Sequence, residues 1–230
     1  MSASAPEPRL LTVGLAFTAG FVDTLGFIAL FAFFTAHVTG NFVVLGSALS
    51  QPVHGLIAKL LALPMFMIAV AATRLYGHSL ERRGRAAAAP FLILEATFLV
   101  VFMVLGQFAT PITDANASIA ILTALSGTVA MGVQNAASRT VFATLSPTTV
   151  MTGNVTQLVI DAVDLIGGGS ETTLNPVRAR FKRFWPPVVA FAAGAACGAL
   201  SYKFGGFLGL LVPSALVLAL AIHTRAKADA

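Results

Sequence analysis

The sequence predicts an all-α integral membrane protein made of two repeats of inverted topology, each with three transmembrane helices and one re-entrant or broken helix. The composition is the first reason: 57% of the residues are hydrophobic and only 10% are charged, whereas about a quarter of a soluble domain is charged. The second is a set of apolar runs that approach or exceed the roughly 20 residues needed to cross a bilayer. The third is a motif that occurs twice, Val38-Thr39-Gly40-Asn41 and Met151-Thr152-Gly153-Asn154.

The apolar runs fall into two similar sets. The first set comprises residues 10–34, 35–50, 56–76 and 91–108. The second set comprises residues 119–140, 148–166, 186–201 and 207–223. Within this set, a glycine-rich linker is expected at 167–170, directly after the run 148–166. Thr39 and Thr152 are 113 positions apart, and a period of half the chain indicates two homologous halves rather than a solenoid. We therefore predict a first membrane repeat at 10–108, an external loop at 109–118 and a second membrane repeat at 119–223.

The basic residues decide between topologies. They cluster at 82–85 and 178–183, and three apolar runs separate these two loops. If all three cross, the loops lie on opposite faces, which the positive-inside rule disfavours. If both Thr-Gly-Asn segments enter and leave on one side, the loops, the N-terminus 1–9 and the tail 224–230 are all cytoplasmic, and the second half is inverted. A chain with seven spans, in which one of these segments crosses, remains the alternative.

The two Thr-Gly-Asn segments have the composition of half-helix starts. Asn and Thr side chains cap free N–H groups, and Gly permits a tight backbone turn. A half-helix N-terminus in a low dielectric favours an anionic or carbonyl-bearing ligand. The alternative is helix capping and close packing alone. We predict that a solute binds between the two segments and contacts Thr39, Gly40, Asn41, Gln134, Asn135, Thr152, Gly153 and Asn154.

Asp23 is predicted to carry the coupling proton. It lies near the middle of the first apolar run, where a carboxylate costs about 3 kcal/mol and normally faces a cavity or a partner. Its counterpart in the second half is the neutral Asn135, preceded by Gln134, so only one half keeps an ionisable group. A purely structural, hydrogen-bonded Asp23 is the alternative.

A polar stripe follows the second Thr-Gly-Asn. Asn154, Gln157, Asp161 and Asp164 recur at helical spacing. This stripe is expected to line a cytoplasmic vestibule or to pair with Arg139, and a solvated interfacial face fits it equally well. Lys59 and Glu95 are expected near membrane ends, where long side chains reach water by snorkelling.

Other classes of protein lack support in the sequence. It contains no Walker loop, no H-E-x-x-H, no paired catalytic carboxylates and no G-x-S-x-G. Cys197 is the single cysteine, so no internal disulfide forms. We expect no enzyme activity, no cofactor, no metal and no nucleic-acid partner. The expected partners are the lipid bilayer and a small solute, while Gly194-x-x-x-Gly198 permits either intramolecular packing or a homodimer.

The two signature regions resemble the YoaK-like family of bacterial multi-pass membrane proteins, whose domain has no assigned function. The resemblance rests on Ala19-Gly20-Phe21-Val22-Asp23 through Asn41, and on Met131-Gly132-Val133-Gln134-Asn135 through Asn154. It implies a location in the bacterial inner membrane. The residues themselves favour a secondary transporter or facilitator of a small polar or anionic solute. A passive channel is one alternative, and a membrane scaffold or enzyme is another.

Overall fold

The computed structural model describes residues 8–228, with side chains from 9 to 226, and no strand occurs among them. Most of the predicted cytoplasmic N-terminus and the end of the predicted tail lie outside these residues. The described chain forms eight α-helices and one 3₁₀ turn: α1 Pro8–Ala29, α2 Gly40–Ser47, α3 Leu56–Arg82, α4 Ala88–Ala109, α5 Ser118–Arg139, α6 Met151–Gly167, α7 Glu171–Gly205, the 3₁₀ turn Gly206–Leu210 and α8 Leu211–Ala228.

Five stretches are long and apolar enough to cross a membrane: α1, α3, α4, α5 and the continuous stretch of α7, the 3₁₀ turn and α8. The prediction of an all-α membrane protein is confirmed. Helices α2 and α6 are not among these stretches within the described residues. At 1.5 Å per residue, the 8 residues of α2 extend about 12 Å, well short of the roughly 30 Å hydrocarbon layer.

Helices α1 and α5 form the interior of the bundle. In their most apolar 18-residue stretches, 72% and 67% of the residues are buried, against 28% in α3 and 39% in α4. The outer helices expose large apolar side chains, such as Met67 and Ile68 of α3, as expected where lipid covers the surface. Because α1 carries Asp23 and α5 carries Gln134 and Asn135, the inner layer holds the polar residues that the sequence singled out.

Small residues let α1 and α7 approach closely. A Cβ at Gly20 would meet the backbone oxygen of Phe191, and a Cβ at Gly194 or Gly198 would meet the backbone oxygen of Phe17 or Phe21, respectively. The Gly194-x-x-x-Gly198 pattern is therefore used inside the chain. A homodimer stays a prediction, and this pattern does not supply its contact.

Two differences between the expected and the observed helix boundaries bear on the loops. The run 10–34 was expected to be one span, but α1 ends at Ala29, because Phe31 and Ala32 adopt positive φ angles of 55° and 60°, which a helix does not allow. The expected linker after Gly167 is only three residues long, and the basic stretch 178–183 belongs to the 35-residue α7.

Helix α7 continues through two adjacent prolines with the help of a neighbouring side chain. Pro186 and Pro187 have no N–H group to offer the carbonyls one turn earlier. One of these carbonyls belongs to Arg183, and the hydroxyl of Ser146 donates a hydrogen bond to it at 3.2 Å. The contact ties α7 to the loop that precedes α6.

Candidate functional site

Asp23 is bound by the backbone of the first Thr-Gly-Asn segment. Its Oδ1 accepts hydrogen bonds from the N–H groups of Thr35 and Ala36, both at 2.8 Å, from that of His37 at 3.4 Å, and from the Thr35 hydroxyl at 3.2 Å. The side chain is 6% exposed. These residues form the turn that leads into α2, so the carboxylate lies where a helix N-terminus favours negative charge. This geometry fits the structural alternative, and the proton-coupling role stays a prediction.

The asparagine of each motif makes the same contact within its own segment. Asn41 Nδ2 donates to the carbonyl of Phe34 at 2.8 Å, and Asn154 Nδ2 donates to the carbonyl of Pro147 at 2.7 Å. Each acceptor lies seven residues upstream of its donor. Asn41 also accepts from the Phe34 N–H at 3.0 Å, which Pro147 cannot match because proline has no N–H.

The motif residues differ in exposure. Asn41 and Asn154 are each 1% exposed and Gly40 is buried, whereas Thr39, Thr152 and Gly153 lie on the surface of the chain. Thr39 precedes α2 but makes no side-chain capping bond, so the prediction that its side chain caps this helix is wrong.

The two motif helices have different neighbours. Among the helices of the described chain, α2 packs chiefly on α3, and α6 packs chiefly on α7. Solute binding by the motif residues therefore stays a prediction, in which the buried carboxamides Asn41 and Asn154 are the inward-facing members.

Gln134 and Asn135 connect α5 to the start of the second Thr-Gly-Asn segment. Gln134 is 0% exposed, and its Nε2 donates to the carbonyl of Leu15 at 2.8 Å and to the Thr148 hydroxyl at 2.9 Å. The Thr149 hydroxyl donates to Asn135 Oδ1 at 2.7 Å. Both halves thus use polar side chains of an inner helix to hold the segment before the motif, but the second half does so without a carboxylate.

Within the polar stripe of α6, Asp161 is the residue that contacts α7. Asp161 is 0% exposed and accepts from Arg180 Nη2 at 2.6 Å, from Arg180 Nε at 2.8 Å and from Gln157 at 2.8 Å. Burial raises the pKa of the Asp161 carboxyl, but these hydrogen bonds outweigh it and hold the pKa below its ordinary value. Asp164 and Arg139 are exposed, and the basic partner of Asp161 is Arg180, not Arg139. A vestibule role for the stripe stays a prediction.

A basic cavity lies beside this region. It measures about 620 Å³, and its lining includes Arg9 and Thr12 of α1, Thr144 to Ser146 of the loop before α6, and Lys182 and Arg183 of α7. Arg183 donates to the carbonyl of Thr144. Among the described residues, no carboxylate forms an ion pair with Arg9, Lys182 or Arg183. The α1 start and the basic stretch of α7 thus share one end of the bundle, as the charge argument requires, and the cytoplasmic assignment of that end stays a prediction.

Two charged side chains lie deeper than expected. Lys59 is 1% exposed and donates from Nζ to the carbonyls of Phe31 at 2.8 Å and His54 at 2.7 Å. Glu95 is also 1% exposed, and neither carboxyl oxygen has a hydrogen-bond partner within the described chain. Snorkelling was therefore the wrong expectation for both.

A sequence signal for Glu95 did exist. Helix α4 starts at Ala88, not at Phe91, so Glu95 lies two turns inside it. It also shares helical spacing with the apolar Leu99 and Phe102.

Within residues 9–226, no group of three or more His, Cys, Asp or Glu side chains has a geometry that could hold a metal ion.

Comparison with known proteins shows the family of the chain. The family model described as "Protein of unknown function (DUF1275)" matches residues 11–223. The chain is also similar to the UPF0700 transmembrane protein YoaK of Bacillus subtilis (strain 168). The two are 33% identical over 163 residues, which cover 70% of this chain and 69% of the relative. No solved structure matches the chain. The resemblance to the YoaK-like family is confirmed.

Proposed function

The chain belongs to the DUF1275 family, and from this premise we propose that it is a secondary transporter or facilitator of a small, anionic solute. The observation that carries the proposal is the basic cavity. Its volume of about 620 Å³ falls within the roughly 300–1,000 Å³ of small-molecule sites. Its cations Arg9, Lys182 and Arg183 have no carboxylate partner among the described residues, so an anion of the solute is their natural counter-charge.

The basic cavity lies beside the residues that lead into the second Thr-Gly-Asn segment. Leu145 and Ser146 line the cavity, and Thr148, which Gln134 binds, follows two residues later. A helix N-terminus and its free N–H groups favour an anion. In the first segment Asp23 supplies that negative charge. In the second, the corresponding residue is the neutral Asn135, so the anion comes from outside the chain.

The finer architecture belongs to the same proposal. Three crossings in each half invert the second repeat relative to the first, and the Thr-Gly-Asn segments enter from opposite sides. The short α2 and the matching contacts of Asn41 and Asn154 support this arrangement. The solute passes between the two segments, with the basic cavity as its cytoplasmic vestibule in the bacterial inner membrane.

Anion binding is tested on the purified protein by thermal unfolding. Inorganic phosphate, sulfate and small mono- and dicarboxylates are added in turn, because a ligand of the native state raises the melting temperature. At least one anion is expected to stabilise the wild type, and Lys182→Gln to lower its affinity about tenfold, the loss of about 1.4 kcal/mol. Arg85→Gln, an exposed arginine outside the cavity, is the matched control. No shift with any anion, or equal losses in both variants, overturns the proposal.

Proton coupling is tested separately with Asp23→Asn in liposomes. The amide oxygen of asparagine can accept the hydrogen bonds from Thr35 and Ala36, but it does not titrate, so folding is expected to persist while gradient-driven uptake is lost. Uptake of the anion identified by thermal unfolding is measured with and without an imposed proton gradient. Normal gradient-driven uptake by the variant removes Asp23 from the coupling role.

A passive channel is the second candidate, and the engagement of Asp23 by three backbone N–H groups favours it. In a channel, a carboxyl group held in this way would shape the path without taking up and releasing a proton. Wild-type flux that follows the solute gradient alone, and does not respond to the imposed proton gradient, would select the channel.

A further inference from the structure

Glu95 is a buried carboxyl that the proposed transport path does not use. It lies in α4 at 1% exposure, and both Oε1 and Oε2 are buried without a hydrogen-bond partner in the described chain. An unpaired charge in such a place is very unfavourable. The group therefore requires either a proton or a cation that neutralises it.

The packing of α4 against α5 brings Glu95 to the level of Gln134. A Cβ at Gly127 of α5 would lie 3.1 Å from the ring of Phe102 of α4, so these two residues face each other. Glu95 is seven residues before Phe102, and Gln134 is seven residues after Gly127. Seven residues are two helical turns on one face, and the two helices run antiparallel across the short connection 110–117. Glu95 and Gln134 consequently share the stripe along which α4 meets α5.

The orientation of the Gln134 carboxamide follows from its contacts. Its nitrogen donates to the carbonyl of Leu15, and a carbonyl can only accept, so the amide cannot be turned round. The other end, Oε1, is buried and has no partner among the described residues. The stripe therefore contains a carboxyl group and an amide oxygen that both lack a donor.

A single proton resolves both deficits. A carboxylate and an amide oxygen are both acceptors and cannot bond to each other, whereas a protonated carboxyl has one O–H to donate. We propose that Glu95 is a proton-binding site, in which the neutral carboxyl donates its O–H to Gln134 Oε1. Because Gln134 also holds Thr148, the proton on Glu95 supports the position of the second Thr-Gly-Asn segment. This site does not depend on the proposed transport of an anion.

The charged groups on neighbouring elements leave Glu95 without an ion pair. Helix α5 carries only Arg139, which is exposed and five residues beyond Gln134. Helix α8 carries His223 and Arg225 near its end, and beyond them Lys227, whose side chain lies outside the described residues. The 3₁₀ turn has no titratable side chain, and from α3 the phenol ring of Tyr76 packs on Phe91, one turn before Glu95.

The test is infrared spectroscopy of the reconstituted protein with ¹³C-labelled glutamate side chains. A protonated carboxyl absorbs separately from a carboxylate, and the label separates glutamate from aspartate. At neutral pH the wild type is expected to show one protonated glutamate band, and Glu95→Gln to lose it. Glu81→Gln, which changes an exposed glutamate paired with Arg74, is the control and should keep the band. An unchanged spectrum in Glu95→Gln overturns the proposal.

A second measurement uses the wild type alone, so it holds if a variant fails to fold. An apolar carbodiimide reacts with a protonated carboxyl within the membrane and adds its whole mass to that side chain as an N-acylurea. Mass spectrometry is expected to find the adduct on Glu95 at neutral pH. No adduct on Glu95, or an adduct suppressed by sodium ions at constant pH, overturns the proton site, the latter in favour of a bound metal cation.

Discussion

The two Thr-Gly-Asn segments share a sequence motif but differ in the group that holds each in place. In the first, one carboxylate oxygen of Asp23 accepts from three successive backbone N–H groups and a hydroxyl. In the second, the contacts of Gln134 and Asn135 with the segment are to the hydroxyls of Thr148 and Thr149. The backbone of the first segment is thus fixed by the carboxyl group of Asp23, while the second is held through the side chains of Thr148 and Thr149.

The two segments also differ in the length of the helix that follows and in what lies beside them. The first is short, with an α2 of 8 residues against 17 in α6. The second follows the wall of the basic cavity at Leu145 and Ser146. The repeated motif therefore marks a common asparagine contact in the two halves, whereas the polar side chain that holds each segment differs. Under the proposed function, this difference closes the first segment and leaves the second open to an anion.

The largest difference in stability between the two segments is expected when the polar side chain that holds each one, Asp23 or Asn135, is removed. Asp23→Ala leaves the buried N–H groups of Thr35 and Ala36 and the weaker donor of His37 without an acceptor. Because each buried unsatisfied group costs about 1–3 kcal/mol, we expect a loss of about 3 kcal/mol or more in the free energy of unfolding. Asn135→Ala removes one acceptor from a hydroxyl, and about 1 kcal/mol should be lost.

Unfolding of the two variants is followed by thermal denaturation in the same detergent, with Asp23→Asn alongside. Asp23→Asn should lie much closer to the wild type than Asp23→Ala does, since its oxygen remains. Equal destabilisation by Asp23→Ala and Asn135→Ala would contradict this difference between the segments. The contacts of Asp23 would then contribute no more to stability than the contact of Asn135 does.

The features that were predictable from the sequence are those that follow from length and periodicity. The membrane class, the order of the runs and the common end of Arg9 and the basic stretch 178–183 came from composition and charge. The end of α1 did not, because nothing in an apolar run such as 10–34 signals the positive φ angles at Phe31 and Ala32. The helical state of 171–183 was hidden by Pro176 and the preceding glycines, which indicate a linker when tertiary contacts are unknown.

The predictions about polar side chains were limited by long-range contacts. Asp23 was singled out correctly as a buried polar residue, but its acceptor role depends on a turn 12 to 14 residues away. Glu95 was misplaced because its depth depends on where α4 begins. Gln134 bonds to Leu15, 119 positions away, and only the packing of α1 on α5 brings the two together.

The glycines of the two motifs give the smallest and most direct comparison. A Cβ at Gly40 would lie 2.9 Å from the ring of Phe34 and 3.0 Å from that of His37, whereas a Cβ at Gly153 would meet nothing within 4 Å. Overpacking costs about 1–3 kcal/mol, so Gly40→Ala should destabilise the protein by about 1–2 kcal/mol. Gly153→Ala should stay within about 0.5 kcal/mol of the wild type, as surface substitutions do.

The same thermal denaturation measures both glycine variants, and their order is the informative result. If Gly153→Ala proved as damaging as Gly40→Ala, the second segment would be closely packed in the folded protein, and an open position beside the basic cavity would be excluded. If instead Gly153→Ala left stability unchanged but weakened binding of the stabilising anion, the methyl group would be obstructing the ligand itself. That outcome would place the solute at the second motif, where Asn135 leaves the negative charge to be supplied from outside.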